Sequence, residues 1–463
     1  MLSELKPRGS RAPTLVCRSS RFVGSLSVVG VVAASLAMTA PVAAAVGTAA
    51  KVSPTATEIG VTATEIRIAV IADVDNPIVP GLFQGAADGV RGAAKYLNSK
   101  AGGGGVGGRK LVVDFIDSKL NAAAARNATI TACGQDLAMV GTSTTALTTD
   151  QDIVSCKDQA GATTGLPDVP AISGAVEACA PVAYPVNPNA TVCSTVGQTP
   201  QTYQTNQGVF TYLKKQHKNL HGSYVFSNDT KSGAVTGQSL IHASTGAGIK
   251  ADSTMSLSAL APQSAYTPVI QAMKQHGSNY QYTIGSVNGM IAVRSEAQLQ
   301  GLTDPNIVWV CTAACYDKTL HAQAAVMNGT YVPLQYLPFE EAKSNATLAN
   351  FVKYVGASKV NAFAAYGWVA TLAFADATKA AVTKHGINGI TRSSVFGGLR
   401  TLTAFDAGGM LGKVDIADHK ISPCTLLTQF KNNKFVRIWP SRTGTFDCTP
   451  ANYVKYEANF VGR

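Results

Sequence analysis

The sequence predicts an α/β protein with two doubly wound, parallel-sheet lobes. Three observations support this prediction. Strand-like and helix-like segments alternate from residue 65 onward, the alternation restarts near residue 223, and 463 residues is the length of two or three average domains. Hydrophobic residues make up 46% of the chain and charged residues 14%, which excludes an intrinsically disordered protein.

The first α/β unit contains three predicted strands and two predicted helices. The strands are short runs of β-branched and other apolar residues, and the helices repeat apolar or alanine side chains at helical spacing. The glycine run Gly102–Gly105 separates the first helix from the second strand. In chain order, the elements are strand 65–72, helix 83–97, strand 110–116, helix 121–131 and strand 137–141. Strands that alternate with helices in this way predict a parallel sheet.

The second α/β unit repeats the alternation, so we expect a second lobe rather than one larger sheet. Its predicted elements are strand 223–227, helix 233–244, helix 266–276, strand 280–285 and strand 307–310. Beyond this unit, residues 361–382 predict a long apolar helix. Residues 430–438 predict a hairpin that turns at Asn432 and Asn433.

Charge and hydropathy exclude two further classes of protein. The formal net charge is +11, of which +4 falls within residues 1–45, and the chain has no cluster of five or more Lys and Arg residues. Because a nucleic-acid-binding surface needs a concentrated basic patch, no nucleic-acid partner is expected. A single uncharged stretch, Phe22–Ala50, is long enough to span a bilayer, which excludes a polytopic membrane protein.

Residues 1–45 have the organisation of a secretory signal peptide. A basic region that ends at Arg21 precedes an apolar run, and Ala43–Ala45 supplies the small residues of a cleavage site. No cysteine follows the apolar run where a lipid anchor would need one. The sequence therefore predicts export and cleavage after residue 45, with an uncleaved membrane anchor as the alternative.

The cysteine count agrees with an exported protein. Of nine cysteines, Cys17 lies in the leader, and the even number that remains is typical of disulfides outside the cytoplasm. Eight cysteines allow 105 pairings, so proximity in sequence is a weak guide. A metal site is the alternative at the Cys311–Cys315 pair, but no second pair lies close by in sequence. The expected disulfides are Cys133 with Cys156, Cys179 with Cys193, Cys311 with Cys315, and Cys424 with Cys448.

Motifs of common enzyme classes are missing. Gly285–Gly289 has the glycines of a nucleophile elbow without the central serine. Gly102–Lys110 is glycine-rich like a phosphate-binding loop, but it lacks the Gly-Lys-Ser/Thr sequence that ends such a loop. His217 and His221 have no third ligand nearby, and a surface helix end explains their spacing better than a metal site. The neighbouring carboxylates Glu340–Glu341 point to different faces. We therefore expect a binding protein without enzymatic activity, cofactor or metal.

Four segments of the chain match motifs of one known family. Residues 60–68 (GVTATEIRI) look like the family's mature start, and residues 83–110, with their GRK ending, resemble its first helix and the turn that follows. Residues 391–409 also match, and the cysteine-containing tail 422–448 is similar to exported actinobacterial members. Over most of residues 60–463, the chain thus resembles the type 1 solute-binding proteins of ABC transporters, of the branched-chain amino-acid class.

The resemblance implies two lobes joined by a hinge of several crossover segments, with the ligand in the cleft between them. It implies an extracytoplasmic, monomeric protein that captures a small organic ligand and delivers it to an ABC permease in the membrane. The implied boundaries are 1–45 for the signal peptide, 46–61 for a flexible lead-in, 62–197 plus 336–418 for lobe 1, and 198–335 plus 419–463 for lobe 2.

The resemblance also places ligand contacts in loops that follow strands. Hydroxyls and free backbone N–H groups at the carboxyl ends of parallel strands can bind a ligand carboxylate. In the second lobe, family members place contacts after the strands that end here at residues 227, 285 and 310. The candidate ligand-binding residues are Thr142, Ser143, Thr144, Thr145, Gly174, Ala175, Ser232, Asn288 and Thr312.

The last of these loops departs from the family pattern. Amino-acid binders of the family usually have a carboxylate there for the ligand ammonium, whereas this loop is enclosed by Cys311 and Cys315 and the first acid is Asp317. A buried ammonium without a partner costs several kcal/mol. A standard α-amino acid is therefore disfavoured, and an amino-acid-like molecule, a carboxylate and an uncharged organic molecule remain candidate ligands.

Two other functions stay open. A ligand-sensing ectodomain of the same fold would need a retained anchor and an intracellular partner. A secreted hydrolase is less compatible with the sequence, because no nucleophile constellation is present.

Overall fold

The computed structural model describes residues 52–77 and 79–460. The predicted signal peptide and the first residues of the predicted lead-in lie outside this range. Among the described residues, no helix combines the length and the hydropathy that crossing a bilayer requires.

The first sheet is entirely parallel and forms from the first third of the chain. Its strands are β1 (Glu65–Ala72), β2 (Lys110–Asp117), β3 (Ala138–Val140), β4 (Ser143–Thr144), β5 (Asp168–Val169) and β6 (Ile172–Ser173). Strand β1 pairs along its whole length with β2, and on its other side with β3 and then β4. Strands β5 and β6 continue the sheet beyond β3 and β4. The residues of β1 from Ile68 to Ala72 are almost completely buried, as expected for a central parallel strand.

The remaining strands form a seven-stranded sheet and a two-stranded sheet. They are β7 (Gln201–Asn206), β8 (His221–Ser227), β9 (Lys250–Leu257), β10 (Tyr280–Ile284), β11 (Val308–Cys311), β12 (Tyr331–Leu334), β13 (Leu426–Lys431), β14 (Lys434–Trp439) and β15 (Tyr453–Ala458). The large sheet has the order β14-β13-β12-β11-β10-β8-β9, and β7 pairs with β15. Strands β8 to β12 are parallel, whereas β13 and β14 add an antiparallel hairpin at one edge. Asn432 (φ 51°) and Asn433 (φ 60°) form its turn, as predicted.

The helices cover the faces of the two larger sheets. They are α1 (Gln84–Asn98), α2 (Ala122–Gln135), α3 (Gln151–Val154), α4 (Ala175–Ala178), α5 (Gly208–Gln216), α6 (Lys231–Gly246), α7 (Thr267–His276), α8 (Val287–Leu299), α9 (Thr319–Ala322), α10 (Ala324–Met327), α11 (Ala346–Val355), α12 (Ala362–His385) and α13 (Arg392–Leu399). Helices α1 and α12 approach each other closely through glycines. A Cβ at Gly89 would lie 2.1 Å from the Ala364 carbonyl oxygen, and one at Gly367 would lie 2.2 Å from that of Ala86.

The chain passes three times between the first sheet and the seven-stranded sheet. It leaves the first sheet after β6, returns after β12 to form α11 to α13, and crosses again before β13. These crossover segments meet at the cavity described below.

All four expected disulfides are present. Each joins a cysteine to the next cysteine along the chain. The bridge between Cys133 and Cys156 is held by Arg392. Its fully buried guanidinium donates to the carbonyl oxygens of Cys133 (2.7 Å) and Asp136 (2.8 Å) and to that of Lys157.

Two expectations about the chain can be compared with the structure. In the described part of the predicted flexible lead-in, Arg109 donates to the Thr55 carbonyl (2.8 Å) and Thr57 donates to the Ile390 carbonyl (2.6 Å), and its flexibility stays a prediction. The two histidines spaced i, i+4 do not share a helix, because His217 follows the end of α5 whereas His221 begins strand β8.

Candidate functional site

A cavity of about 340 Å³ lies where the end of β6, the crossover segments and the loops after β8 and β11 meet. Ser173 lines it from the first sheet, and Ser232 and Thr312 line it from the side of the seven-stranded sheet. None of its lining residues is charged. A pocket with scattered polar groups and apolar walls is typical of small-molecule sites.

Several polar side chains of the cavity are free to bind a ligand, because they make no hydrogen bond to other described residues. By contrast, Gln204 donates to the carbonyls of Asn189 and His419, and Asn206 donates to that of Ser422, so these two amides brace the crossover segments. The free side chains are Ser173, Asn187, Ser232, Thr236 and Thr312.

Apolar and aromatic groups form the rest of the wall. Phe210 and Leu240 line the cavity from helices α5 and α6, and Tyr366 lines it from α12. The Tyr366 hydroxyl donates to Oε1 of Gln335 at 3.4 Å, which leaves the Gln335 amide nitrogen available. Burial raises the pKa of Tyr366, so its hydroxyl stays neutral and can act as a donor or an acceptor.

The structure brings together part of the predicted second-lobe site. Ser232 and Thr312 both line the cavity, each in a loop or helix start that follows a parallel strand. Asn288 does not line the cavity, since it is exposed in the first turn of α8. Gly174 and Ala175 directly follow the lining residue Ser173 without lining the cavity themselves. Contact between any of these residues and a ligand stays a prediction.

The polar groups of the predicted first-lobe loop are already bonded within the protein. Ser143 Oγ donates to the Gly141 carbonyl (3.1 Å), and Thr144 Oγ1 donates to Asp73 Oδ1 (3.0 Å). The backbone N–H of Thr145 donates to Asp73 Oδ2 (2.9 Å). None of these residues lines the cavity, and their contact with a ligand stays a prediction.

Thr142 is engaged in the same way, since its Oγ1 donates to Asp168 Oδ1 at 2.7 Å. The physical reason is the same for Thr142, Thr144 and Thr145. Asp73 and Asp168 are fully buried, and a buried carboxylate needs hydrogen-bond donors to offset its lost hydration. The hydroxyls of Thr142 and Thr144 and the backbone N–H of Thr145 supply those donors.

A second carboxyl, that of Glu177, is buried next to Asp168. Among the described residues, no donor reaches Oδ2 of Asp168 or either carboxyl oxygen of Glu177. Burial raises the pKa of Asp168 to about 7, and burial together with the charge of Asp168 raises the pKa of Glu177 well above its usual value. Glu177 therefore keeps its proton to a higher pH than an exposed glutamate does, and its protonated carboxyl can donate a hydrogen bond to Asp168.

The sequence interpretation missed several lining residues, including Asn187 and Gln335. Both lie in irregular crossover segments, where no periodic pattern indicates which side chains face a cavity. The only signal was the cluster of proline and asparagine residues at 185–189. Across the residues that the structure describes, no group of three or more His, Cys, Asp and Glu side chains could hold a metal ion.

Comparison with known proteins agrees with this fold. The chain matches the periplasmic binding protein family over residues 65–434. No curated protein sequence matches the chain significantly. A leucine-binding protein from Thermotoga maritima is similar in structure, with a TM-score of 0.60 at 15% identity over 81% of this chain and 97% of that one.

Two further solved structures have comparable similarity. A fatty acid ABC transporter substrate-binding protein from Thermomonospora curvata has a TM-score of 0.61 at 13% identity over 84% of this chain and 97% of that one. An ABC transporter solute-binding protein from R. palustris, in complex with 4-hydroxybenzoate, has a TM-score of 0.60 at 12% identity over 81% of this chain and 95% of that one. The predicted fold class is therefore confirmed, whereas the similarity to actinobacterial members stays a prediction.

Proposed function

The chain belongs to the periplasmic binding protein family, and from this premise we propose that it is a solute-binding protein that captures a small uncharged polar ligand. We place that ligand in the cavity lined by Ser173, Ser232 and Thr312. In this proposal the protein is exported, performs no catalysis and delivers the ligand to an ABC permease.

The observation that favours an uncharged ligand is the chemistry of the cavity wall. The lining offers hydroxyl and amide groups from both sides, but no carboxylate for an ammonium and no guanidinium or ammonium for a carboxylate. A charged group buried without a counter-charge costs several kcal/mol, whereas hydroxyl and amide groups of a ligand can be matched by side chains of the same kind. A polyhydroxylated or amide-bearing molecule fits these donors and acceptors.

The proposed mechanism is ligand-induced closure of two lobes. We propose that the first lobe comprises residues 62–197 and 336–418 and the second residues 198–335 and 419–463. Ser173 then contacts the ligand from the first lobe, and Ser232 and Thr312 contact it from the second. Since each lobe alone offers half of the contacts, the ligand binds the closed state more tightly and shifts the equilibrium towards it.

The ligand can be identified by native mass spectrometry of freshly purified protein, followed by titration of the released compound. The double variant Ser173→Ala/Thr312→Ala should weaken its binding by roughly tenfold, because each lost hydrogen bond is worth about 0.5–1.5 kcal/mol. The matched control is Asn288→Ala, which removes a predicted contact that does not line the cavity and should leave affinity unchanged.

Two results would contradict the proposal. One is a bound compound that carries a net charge or the zwitterion of an amino acid. The other is full affinity in the double variant together with weaker binding in Asn288→Ala. Small-angle scattering with and without the compound tests closure separately, since the radius of gyration should fall when the ligand binds.

A further inference from the structure

A second cavity, of about 350 Å³, lies at the opposite end of the parallel strands from the first one. The first cavity follows the carboxyl end of β11 at Thr312, whereas the second is lined by Val308 and Trp309 at the beginning of that strand. Strand β11 spans four residues, or roughly 13 Å at 3.3 Å per residue. The two cavities are therefore separate, and the second has no part in the function proposed above.

The second cavity contains an arginine without an acidic partner. The Arg294 guanidinium lies 4.9 Å from the centre of the Trp309 ring, and it donates to Thr330 Oγ1 (3.2 Å) and to the Asn328 carbonyl (3.1 Å). A guanidinium has five N–H donors, so further donors remain. Among the described residues, no carboxylate lies within ion-pair distance of Arg294.

Arg294 is half-buried, and its charge has no ion-pair partner among the described residues. Burial lowers the pKa of Arg294 to about 10, the direction expected for a cation taken out of water. Asp304 is the only carboxylate among the lining residues, but it is exposed and its Oδ1 accepts two hydrogen bonds from Asn306. A negatively charged ligand would supply the missing counter-charge.

The other walls indicate what kind of anion would fit. Leu302, Ile307 and the indole of Trp309 form the apolar part of the wall. Neutral polar groups form much of the rest, from Thr303, Asn306, Gln298, Asn328 and Gln429. His217 also lines the cavity, but burial lowers its pKa, so at neutral pH its imidazole adds no positive charge. One guanidinium beside apolar side chains matches a single negative charge on an apolar body, rather than a multiply charged phosphate.

We propose that this cavity is a second binding site, which takes a small organic carboxylate. Its carboxylate pairs with the free N–H donors of Arg294, and its apolar body packs against Leu302 and Ile307. The cavity volume suits a molecule with a single ring or a short branched chain.

Isothermal titration with benzoate tests this site, and benzamide serves as the uncharged probe of the same shape. Benzoate should bind with a Kd no weaker than about 1 mM, and benzamide at least about tenfold more weakly, because a hydrogen bond to a charged group is worth about 1.5–3 kcal/mol. Arg294→Gln should weaken benzoate binding by a similar factor. The control Arg400→Gln removes another guanidinium that lies over an aromatic ring, 5.8 Å from the centre of Phe396 and outside this cavity, and should have no effect.

A second variant keeps the arginine in place, in case Arg294→Gln does not fold. Gln298 is exposed and lies four residues after Arg294 on α8, so Gln298→Glu sets a carboxylate beside the guanidinium. It should abolish benzoate binding and leave the fold intact. The cleft variant Ser173→Ala/Thr312→Ala should bind benzoate normally. The proposal would be overturned if benzoate did not bind or if benzamide bound with equal affinity. It would also be overturned if benzoate binding were undiminished in Arg294→Gln or Gln298→Glu.

Discussion

Replacing Glu177 by Gln tests the buried carboxyl pair of the first lobe. Glu177 and Asp168 are both fully buried, and Thr142 is the hydroxyl donor to the pair. Asp73 is the other charged group that acts on Glu177, and it too raises the pKa of the Glu177 carboxyl. The glutamine has the same shape and can donate an N–H to Asp168, but it binds no proton.

The expected effect follows from proton linkage. In the folded protein burial raises the pKa of Asp168 to about 7, and burial together with the charge of Asp168 raises the pKa of Glu177 well above its usual value, whereas both carboxyls ionise near pH 4 in the unfolded chain. The folded state therefore binds more protons, so the stability from this pair is complete below about pH 4 and is lost as the pH rises through 7. Each retained proton contributes a slope of about 1.4 kcal/mol per pH unit. Between pH 5.5 and 7, the free energy of unfolding should fall further in the wild type than in Glu177→Gln, by at most about 2 kcal/mol.

Urea unfolding monitored by circular dichroism at several pH values measures this difference. The control is Glu457→Gln, which removes an exposed carboxylate that forms no ion pair with any described residue. Its stability should follow the pH dependence of the wild type. If the Glu177→Gln curve also ran parallel to the wild-type curve, the carboxyl pair would not hold a proton and the reasoning would be refuted.

Two further predictions concern packing. Gly89→Ala should destabilise the protein by about 1–3 kcal/mol, because the new Cβ would lie 2.1 Å from a backbone oxygen of α12. Gly134→Ala should raise stability by up to about 1 kcal/mol, because no atom lies within 4 Å of the Cβ that it adds to helix α2. A higher melting temperature for Gly89→Ala than for Gly134→Ala would contradict the close contact of the helices. Arg392→Met should lower the free energy of unfolding by at least about 3 kcal/mol, since it removes a buried guanidinium that donates to the carbonyl oxygens of Cys133, Asp136 and Lys157. Chemical denaturation measures this loss, and a change below 1 kcal/mol would show that water replaces the guanidinium.

The sequence pattern predicted some strands with their bounds and missed others. Strand β1 has its predicted bounds, because a strand buried on both faces is a continuous apolar run. Strand β9 (Lys250–Leu257) was missed, since it lies at a sheet edge and has mostly polar or small residues. Helix α8 was missed because Ser286–Gly289 resembles a turn, whereas the Ser286 side chain caps the helix by accepting a hydrogen bond from the Gly289 N–H.

The candidate site was only partly predictable for a different reason. Ser232 and Thr312 line the cavity, and they were predicted because the resemblance places contacts in the segments that follow parallel strands. Asn187 and Gln335 were not predicted, because they depend on how separate crossover segments meet. The hydrogen bond from Thr144 to Asp73 was not predicted, because Asp73 lies far away in sequence and no local pattern shows that a buried carboxylate takes the hydroxyl.

The crossovers also determine when the chain can fold during synthesis. Strand β12 needs β13 as its neighbour, and the residues paired across them, Tyr331 and Gln429, are almost a hundred positions apart. Helix α12, which packs against α1, is likewise made long after the first sheet is complete. A nascent chain therefore exposes an open strand edge at β12 and an uncovered α1 until its last segments appear. Contacts of such long range slow folding and favour aggregation of incomplete chains, so truncation before residue 426 should yield insoluble protein, not a shorter folded one.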